Sequence, residues 1–160
     1  MKHEETYTST LHTHVHFFIY EPQVIIRVKA VLFVQHDLNE NASNYDHFAN
    51  FMCDKGYVVV VSDMVGHGHS LIDFEQGYFG KTDVLDYLMK DMHHLQKVMM
   101  ARYTDTPYYH IIFGWRIIID DHVLRRICHA KFSRFLFDPR VICRVHHALF
   151  RVCVLTHDIV

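Results

Sequence analysis

The sequence predicts a three-layer α/β domain with a mostly parallel sheet and an amino-terminal β-hairpin. Two short runs, Lys29–Gln35 and Tyr57–Ser62, are almost entirely apolar, which is typical of strands that are covered on both faces in a parallel sheet. Segments with helical periodicity follow these runs. Strands that alternate with helices through short loops form one sheet with helices packed against its faces.

The hairpin is predicted from two segments near the start of the chain. Thr6–Tyr20 alternates and is rich in threonine, histidine and aromatic residues, and Val24–Val28 is a β-branched run. Glu21-Pro22-Gln23 lies between them and is the expected turn. The strand Lys29–Gln35 follows, and His36–Asn44 is predicted to be a polar loop after it.

The first helix is predicted to begin after this loop. Its apolar positions fall at i, i+3, i+4 and i+7, and they are Tyr45, Phe48, Ala49 and Met52. Ser43 or Asn44 is the expected N-cap, and Lys55-Gly56 supplies a cationic last turn and a C-terminal stop. The strand Tyr57–Ser62 comes next. Asp63–Ser70, with two glycines, is predicted to form a tight loop at its carboxyl end.

The second helix is predicted to follow an irregular segment, Leu71–Lys81. Thr82 is its expected N-cap, it ends near Tyr103, and Tyr108–Phe113 is the strand after it. The apolar stripe of this helix consists of Val84, Leu88, Met92, Leu95 and Met99. Further along, the sequence predicts a helix over Ile118–Lys131 and strands over Val141–Val145 and Phe150–Leu155.

Length and composition limit the possible classes of function. A chain of 160 residues that is 50% hydrophobic suits a single domain over residues 1–160, and no apolar stretch is long enough to predict a transmembrane segment. With 16 basic and 18 acidic residues, no basic field predicts nucleic-acid binding. The polar start, Met1–Thr6, lacks a signal-peptide pattern, so a cytoplasmic location is expected. No cofactor is expected, and the cysteines, which form no C-x-x-C pair, are expected to be buried reduced thiols: Cys53, Cys128, Cys143 and Cys153.

An ordered series of motifs runs from about residue 25 to residue 114. It comprises Lys29–His36, Asn39–Ala49, Asp54–Val58, Ser62–Ser70, Asp91–Leu95, Tyr103–Pro107 and Phe113-Gly114. In this order the motifs resemble the monoacylglycerol lipase and lysophospholipase group of α/β-hydrolases, and the D-x-x-G-H-G-x-S pattern at Asp63–Ser70 is specific in this context. The resemblance implies a sheet of α/β-hydrolase type and a serine hydrolase that cleaves acyl esters with a Ser-Asp-His triad. It also implies an acylglycerol or lysolipid-like ligand.

The sequence departs from this family where the chemistry should occur. In such hydrolases the nucleophilic serine stands on a sharp strand-to-helix turn with the pattern G-x-S-x-G, but here Gly114–Ile118 reads G-W-R-I-I. The nucleophile position falls on Arg116, which stays protonated and offers only hydrogen-bond donors. Ile118 replaces the second glycine, so the strained turn should relax. Ser70 is expected to cap a loop or helix rather than to replace the missing nucleophile.

The loop expected to stabilise an oxyanion departs as well. His36-Asp37 stands where the family has His-Gly, and a carboxylate beside a developing oxyanion opposes its stabilisation. Together with Trp115, these residues form the oxyanion-loop region of the candidate site. The acid, the histidine and the lid of the family fall beyond the length of this chain, so we expect a partial hydrolase domain without an intact catalytic triad.

These observations favour a catalytically inactive relative of the serine ester hydrolases, and two other hypotheses stay open. The main alternative is a non-enzymatic binding or self-associating module. Apolar segments late in the chain would associate through an exposed sheet edge if they were left without cover. These segments are Ile111–Phe113, Ile117–Ile119 and Val152–Leu155.

The histidines support the remaining hypothesis, a metal-binding protein. The chain holds 16 of them. His12, His14 and His16 alternate, so on a strand their imidazoles would project from one face with neighbours about 6 to 7 Å apart. Such a row could bind zinc, copper or nickel. His67 and His69, which flank a glycine in the loop after the second buried strand, are expected to be hydrogen-bonded surface residues.

Overall fold

The structure is a computed structural model that describes residues 1–24, 27–72, 77, 84–112, 134–136, 142–145, 148–151 and 153–156. Its strands are β1 (Lys2–Thr8), β2 (His14–Tyr20), β3 (Val31–Gln35), β4 (Val58–Ser62), β5 (Tyr108–Ile112), β6 (Arg134–Leu136), β7 (Ile142–Val145), β8 (Ala148–Arg151) and β9 (Cys153–Thr156). The α-helices in the described residues are α1 (Asp46–Asp54) and α2 (Val84–Arg102). Short 3-10 helices over Ala42–Tyr45 and Gly68–Ser70 precede α1 and follow β4.

Seven of these strands form one mixed sheet in the order β1-β2-β4-β3-β5-β9-β6. Its centre is parallel, because β3 pairs in parallel with β4 on one side and with β5 on the other. The pairs toward both edges are antiparallel, and β7 and β8 form a separate antiparallel hairpin. The predicted α/β fold class is therefore confirmed, with parallel pairing at the three central strands.

The two helices cover opposite faces of the sheet. The connection from β3 through α1 to β4 and the connection from β4 through α2 to β5 run in opposite directions along the sheet. Right-handed crossovers then place their helices on opposite sides. Val59 and Val61 of β4 accordingly face the core beneath α1, where Ala49 is buried. Val58 and Val60 face the core beneath α2, which completes the predicted three layers.

Both helices form where the apolar spacing predicts them. The predicted stripe of the first helix packs into the core on its side of the sheet, and so do Leu95 and Met99 of α2 on the other side. The predicted N-cap of the first helix is wrong. The side chain of Asn41 accepts a hydrogen bond from the N–H of Ser43, while Asn44 accepts from the N–H of Asn41, and this capping box starts the 3-10 helix ahead of α1. The predicted cap of α2, residue 82, lies outside the described residues.

The amino-terminal hairpin is present, but its predicted boundaries are wrong. β1 and β2 pair along their whole lengths. β1 therefore begins before the predicted start at Thr6, and β2 is the second half of the segment Thr6–Tyr20, which the sequence predicts to be one strand. The turn between them is closed by Ser9, whose Oγ accepts hydrogen bonds from the N–H groups of Leu11 and Thr13. Of the predicted second strand, Val24–Val28, the described residues have no strand structure, and residues 25 and 26 lie outside the described part of the chain.

Ion pairs join the hairpin to both helices. Lys2 Nζ lies 2.9 Å from a carboxylate oxygen of Asp46 in α1. On the other face, the guanidinium of Arg102 at the end of α2 makes a two-pronged contact with Glu5, at 2.6 and 2.5 Å. Each pair is partly exposed and contributes on the order of 0.2 to 1 kcal/mol. The hairpin is therefore part of the packed domain rather than an extension of it.

The described sheet edges differ from the expected apolar edge. β5 lies between β3 and β9, and its Ile111 is buried, so Ile111–Phe113 does not form an edge as far as the structure describes it. One edge strand is β1, with exposed charges at Lys2 and Glu4, and the other is the three-residue β6. Charged and short edge strands resist edge-to-edge pairing. Ile117–Ile119 lies outside the described residues, and self-association stays a prediction.

The elements beyond β5 agree in part with the sequence. The predicted helix Ile118–Lys131 lies outside the described residues, whereas β7 falls within the predicted strand Val141–Val145. β8 and β9 occupy the region where a single strand, Phe150–Leu155, is predicted, and β6 has no counterpart among the predicted elements. Cys53 is buried and free, as the sequence predicts. None of the described helices has the length and apolar character needed to cross a membrane.

Candidate functional site

The central strands define where a functional site is expected. The chain reverses its direction along the sheet between β3 and β5, and ligands of open α/β sheets bind at the carboxyl ends of the strands at such a switch point. The loop after β3 starts with His36-Asp37, and the loop after β4 is Asp63–Ser70. Trp115 and Arg116 follow β5 and lie outside the described residues.

His36 is a fully buried link between these two loops. Its Nδ1–H donates to the main-chain oxygen of Asp37 at 2.7 Å, and its Nε2 accepts from the main-chain N–H of Met64 at 3.0 Å. Burial lowers the pKa of the His36 imidazole, which favours the neutral form that these two hydrogen bonds require. His36 therefore positions the loop after β3, and both of its ring nitrogens are engaged in that task.

The carboxylates of Asp37 and Glu40 each bind a main-chain donor of the predicted oxyanion loop. The N–H of Leu38 donates to Asp37 Oδ1 at 2.8 Å, and the N–H of Asp37 donates to Glu40 Oε2 at 3.3 Å. The hydroxyl of Tyr45 donates to the same oxygen of Glu40. An oxyanion hole on this fold takes an N–H from the loop after this strand, and in this chain carboxylates of the same loop bind two of the N–H groups there.

Asp63 joins the loop after β4 to the loop after β3. Its buried carboxylate accepts from the N–H of Ala42 at 2.6 Å and from the N–H of His69 at 2.8 Å. Gly68 makes this possible, because its φ is +49° and an added Cβ would lie 2.3 Å from Asp63 Oδ2. The spacing of aspartate and glycine in the D-x-x-G-H-G-x-S motif therefore has a local structural cause.

His67 lies inside the protein, and the expectation that it is a surface residue is wrong. Its side chain is 0% exposed. Nε2–H donates to the main-chain oxygen of Leu38 at 2.7 Å, while Nδ1 lies 3.2 Å from the main-chain oxygen of Val65. The ring also packs near His36, with ring centroids 5.2 Å apart. His67 is buried because the loop after β4 packs directly against the loop after β3.

Ser70 is a structural residue, as the sequence predicts, although its partners are not those of a helix cap. Its Oγ accepts from the main-chain N–H of His16 in β2 at 2.9 Å and donates to the main-chain oxygen of Asp63 at 3.0 Å. Its own N–H donates to the main-chain oxygen of His67. The motif thus connects β2 and the loops after β3 and β4 through hydrogen bonds of the buried side chains of Asp63 and Ser70.

Comparison with known sequence families identifies this arrangement. Residues 26–114, more than half of the 160 residues, match the family described as serine aminopeptidase, S33. The chain belongs to this family of α/β hydrolases. The matched range contains the buried strands β3, β4 and β5 and both of the loops described above. No curated protein matches the chain at a significant level.

Solved structures share the fold of this S33 chain. A carboxyl esterase from Bacillus coagulans aligns with a TM-score of 0.60 and 27% identity over 67% of this chain and 34% of its own. A lipase in its open form aligns with a TM-score of 0.65 and 24% identity, over 72% and 37%. A soluble variant of monoglyceride lipase from Saccharomyces cerevisiae gives 0.56 and 13%, over 69% and 34%. This chain therefore spans about a third of the length of these structures.

The S33 chain also buries a histidine in β5, the strand that ends shortly before Gly114. The ring of His110 stacks on Phe33, with centroids 4.8 Å apart, and burial lowers its pKa to about 4. A small cavity beside it, roughly the size of a water molecule, is lined by both rings and by Gln35, Ser62 and Met92, among others. The sequence signal for the burial of His110 is its spacing from Tyr108. Side chains two residues apart on a strand lie on the same face of the sheet, and Tyr108 is in the core.

A separate polar cluster joins the loop after β4 to β1 and β2. Glu4 Oε1 lies 2.8 Å from His16 Nδ1 and 2.8 Å from His69 Nδ1. The hydrogen bonds from His69 and His16 hold the pKa of Glu4 below its usual value. In the part of the chain that the structure describes, this is the group of three side chains whose ligand atoms are close enough to hold a metal ion, all within 4.8 Å of one another.

The predicted histidine row does not form as expected. His12 lies in the hairpin turn with a φ of +59°, so it is not on the strand, and His14 is exposed at the start of β2. His16 joins the cluster, but its partners come from elsewhere. Glu4 and His69 were missed because they lie on two other segments, and only the pairing of β1 with β2 and the position of the loop bring them to His16.

Proposed function

We propose that this S33-family chain has the fold of a serine ester hydrolase of the monoacylglycerol lipase or lysophospholipase type, but does not hydrolyse esters. The observation that carries the proposal is Arg116, which stands two residues after Gly114 at the position where the fold presents its nucleophilic serine. An arginine stays protonated and cannot form an acyl-enzyme ester. An acylglycerol or lysolipid is the ligand class that the family resemblance suggests.

The loop after β3 supports this proposal independently of the nucleophile. The N–H groups of Asp37 and Leu38 donate to carboxylates of the same loop. Loss of a single oxyanion donor costs about 10² to 10³ in kcat. A carboxylate in this position also repels a developing oxyanion, so the chain would lose transition-state stabilisation even if another group attacked the ester.

Two side chains, Ser70 and Cys53, are unsuited to replace the missing serine. Ser70 is buried, and both its oxygen and its hydroxyl hydrogen are used in hydrogen bonds to the main chain. Burial raises the pKa of the Cys53 thiol to about 11, which suppresses the thiolate needed for attack. Neither side chain can therefore act as a nucleophile without local unfolding.

The test is covalent labelling of the full chain with a fluorophosphonate probe, read by intact-protein mass spectrometry. We expect no adduct, while an active esterase labelled in parallel shows one. Heat-denatured protein serves as the control for reaction that does not depend on the fold. If an adduct forms on a serine of the folded chain and is absent after denaturation, the proposal is wrong, and peptide mapping then identifies the nucleophile.

Hydrolysis of a short-chain ester gives a second measurement on the same protein. We expect a rate equal to that of the buffer. A Ser70→Ala variant should give the same rate, because the Ser70 hydroxyl is engaged in main-chain hydrogen bonds and does not attack the ester. A rate above that of the buffer in the wild-type chain, lost on treatment with the fluorophosphonate probe, would contradict the proposal.

A further inference from the structure

Glu4, His16 and His69 come from three separate segments and meet at one point on the surface. Glu4 is on β1, His16 is on β2 and His69 is in the loop after β4. Two imidazole nitrogens and one carboxylate oxygen are a ligand set that zinc uses in proteins, with water in the fourth position. We propose that these three residues bind a divalent transition-metal ion of the zinc class.

The distances between the ligand atoms suit such an ion. Glu4 Oε1 lies 2.8 Å from each histidine Nδ1, and all three atoms lie within 4.8 Å of one another. Ligand bonds of 2.0 to 2.2 Å in a tetrahedral site place neighbouring ligand atoms about 3.4 Å apart. The two 2.8 Å distances are shorter than this value by about 0.6 Å, and the limit of 4.8 Å on the remaining pair is longer than it, so shifts of several tenths of an ångström in these exposed side chains would accommodate the ion. The metal would take the place of the two N–H···O hydrogen bonds.

Hydrogen bonds to two buried side chains hold the main chain of both histidines in place. The N–H of His16 donates to Ser70 Oγ at 2.9 Å, and the N–H of His69 donates to Asp63 Oδ2 at 2.8 Å. Asp63 and Ser70 are each 2% exposed. Glu4 is positioned by the antiparallel register of β1 and β2. A site whose ligands are already oriented loses less entropy on binding than a row of mobile side chains.

The cluster also leaves room for ligands from solvent. The side chains of His16, Glu4 and His69 are 29%, 43% and 59% exposed. The ring of His69 packs edge-on against Phe18, with centroids 5.4 Å apart, and this contact orients the imidazole toward the strands. Three protein ligands with one open side correspond to the open type of zinc site rather than to the closed structural type.

The test is a calorimetric titration of the full chain with zinc. The chain carries no affinity tag, and bound metal is first removed with EDTA. We expect one site per chain in the wild type. Glu4→Gln and His69→Ala should each lower the zinc affinity of this site by at least about tenfold. Substitution of residues that only support metal ligands already costs about 10- to 100-fold in affinity. His14→Ala is the matched control, since His14 lies on the same strand and is exposed but stands outside the cluster.

Two further measurements make the outcome decisive. Far-UV circular dichroism checks that each variant is folded, and the exposed positions of Glu4 and His69 make their substitutions the safer ones. Cobalt absorption reports the number and type of ligands, and its tetrahedral signature should be lost in His16→Ala. Equal zinc affinity in the wild type and the Glu4 and His69 variants would show adventitious binding by other histidines. That result, absence of binding, or an equal loss in His14→Ala would overturn the proposal.

Discussion

Replacement of Gly68 by alanine should destabilise the domain far more than the same change at Gly56. Both glycines have positive φ values, +49° and +89°, and a left-handed backbone costs a residue with a Cβ about 1 to 2 kcal/mol. At Gly56 the nearest atoms to the added Cβ would be those of the Lys29 side chain, at 3.6 Å, which is ordinary van der Waals contact. At Gly68 it would lie 2.3 Å from the Asp63 carboxylate.

The extra cost at Gly68 follows from what the carboxylate of Asp63 holds. It accepts hydrogen bonds from the N–H groups of Ala42 and His69, and a hydrogen bond to a charged group contributes about 1.5 to 3 kcal/mol. Because Asp63 is buried, it cannot move aside without losing them. Gly68→Ala should therefore cost about 3 kcal/mol or more beyond the cost of Gly56→Ala.

Urea unfolding followed by circular dichroism measures both variants, and an unchanged m-value confirms that the difference is one of stability. A double-mutant cycle isolates the collision. In an Asp63→Ala background the carboxylate is absent, so Gly68→Ala should cost only the backbone term of about 1 to 2 kcal/mol. The reasoning is refuted if Gly68→Ala costs no more than Gly56→Ala, or if its cost is the same in both backgrounds.

Two buried titratable groups predict opposite effects of pH. Burial lowers the pKa of His110 from 6.5 to about 4. As the pH falls from 6.5 to about 4, His110 therefore binds a proton in the unfolded chain but not in the folded chain. Folding stability should fall by about 3 kcal/mol over this window, at about 1.4 kcal/mol per pH unit. His110→Phe should abolish this loss in urea unfolding series, and an unchanged pH profile would contradict the assignment. Burial raises the pKa of Asp91, which accepts hydrogen bonds from Thr10, so the folded chain retains a proton that the unfolded chain releases above about 3.8. The contribution of Asp91 to folding stability should therefore fall as the pH rises from 3.8 to the pKa of Asp91 in the folded chain. Asp91→Asn keeps a side-chain hydrogen-bond acceptor and should remove that fall. Equal pH profiles of stability in the wild type and this variant would contradict the prediction.

Local sequence predicted the elements whose cause is local. The runs Val31–Gln35 and Val58–Ser62 are buried on both faces, and the apolar spacing of the two helices matches the sides that they bury. The hairpin was misplaced because alternation continues from Thr6 to Tyr20 without a Gly or Pro signal at the turn. Side-chain hydrogen bonds of Ser9 close that turn, and a hydroxyl donor or acceptor is too common a feature to mark a turn by itself.

For the candidate site, the sequence located the relevant loops but not the state of their groups. His36-Asp37 lies at the end of β3, as predicted, beside the D-x-x-G-H-G-x-S loop. Periodicity gave no sign that His67 is enclosed or that Leu38 donates its N–H to the Asp37 carboxylate. Those outcomes depend on how closely two loops from different parts of the chain pack.

The sequence by itself determined the α/β-hydrolase fold and the order β3, α1, β4, α2 and β5, and it predicts that Arg116 stands at the nucleophile position, because each of these depends on residues that are close together in the chain. The tertiary structure alone decided which polar groups meet. Glu4 and His69 are 65 residues apart, and they reach His16 through strand pairing and a loop fixed by Asp63. Side-chain chemistry of this kind depends on distances of about 3 Å, and only the packed fold sets such distances between residues so far apart in the chain.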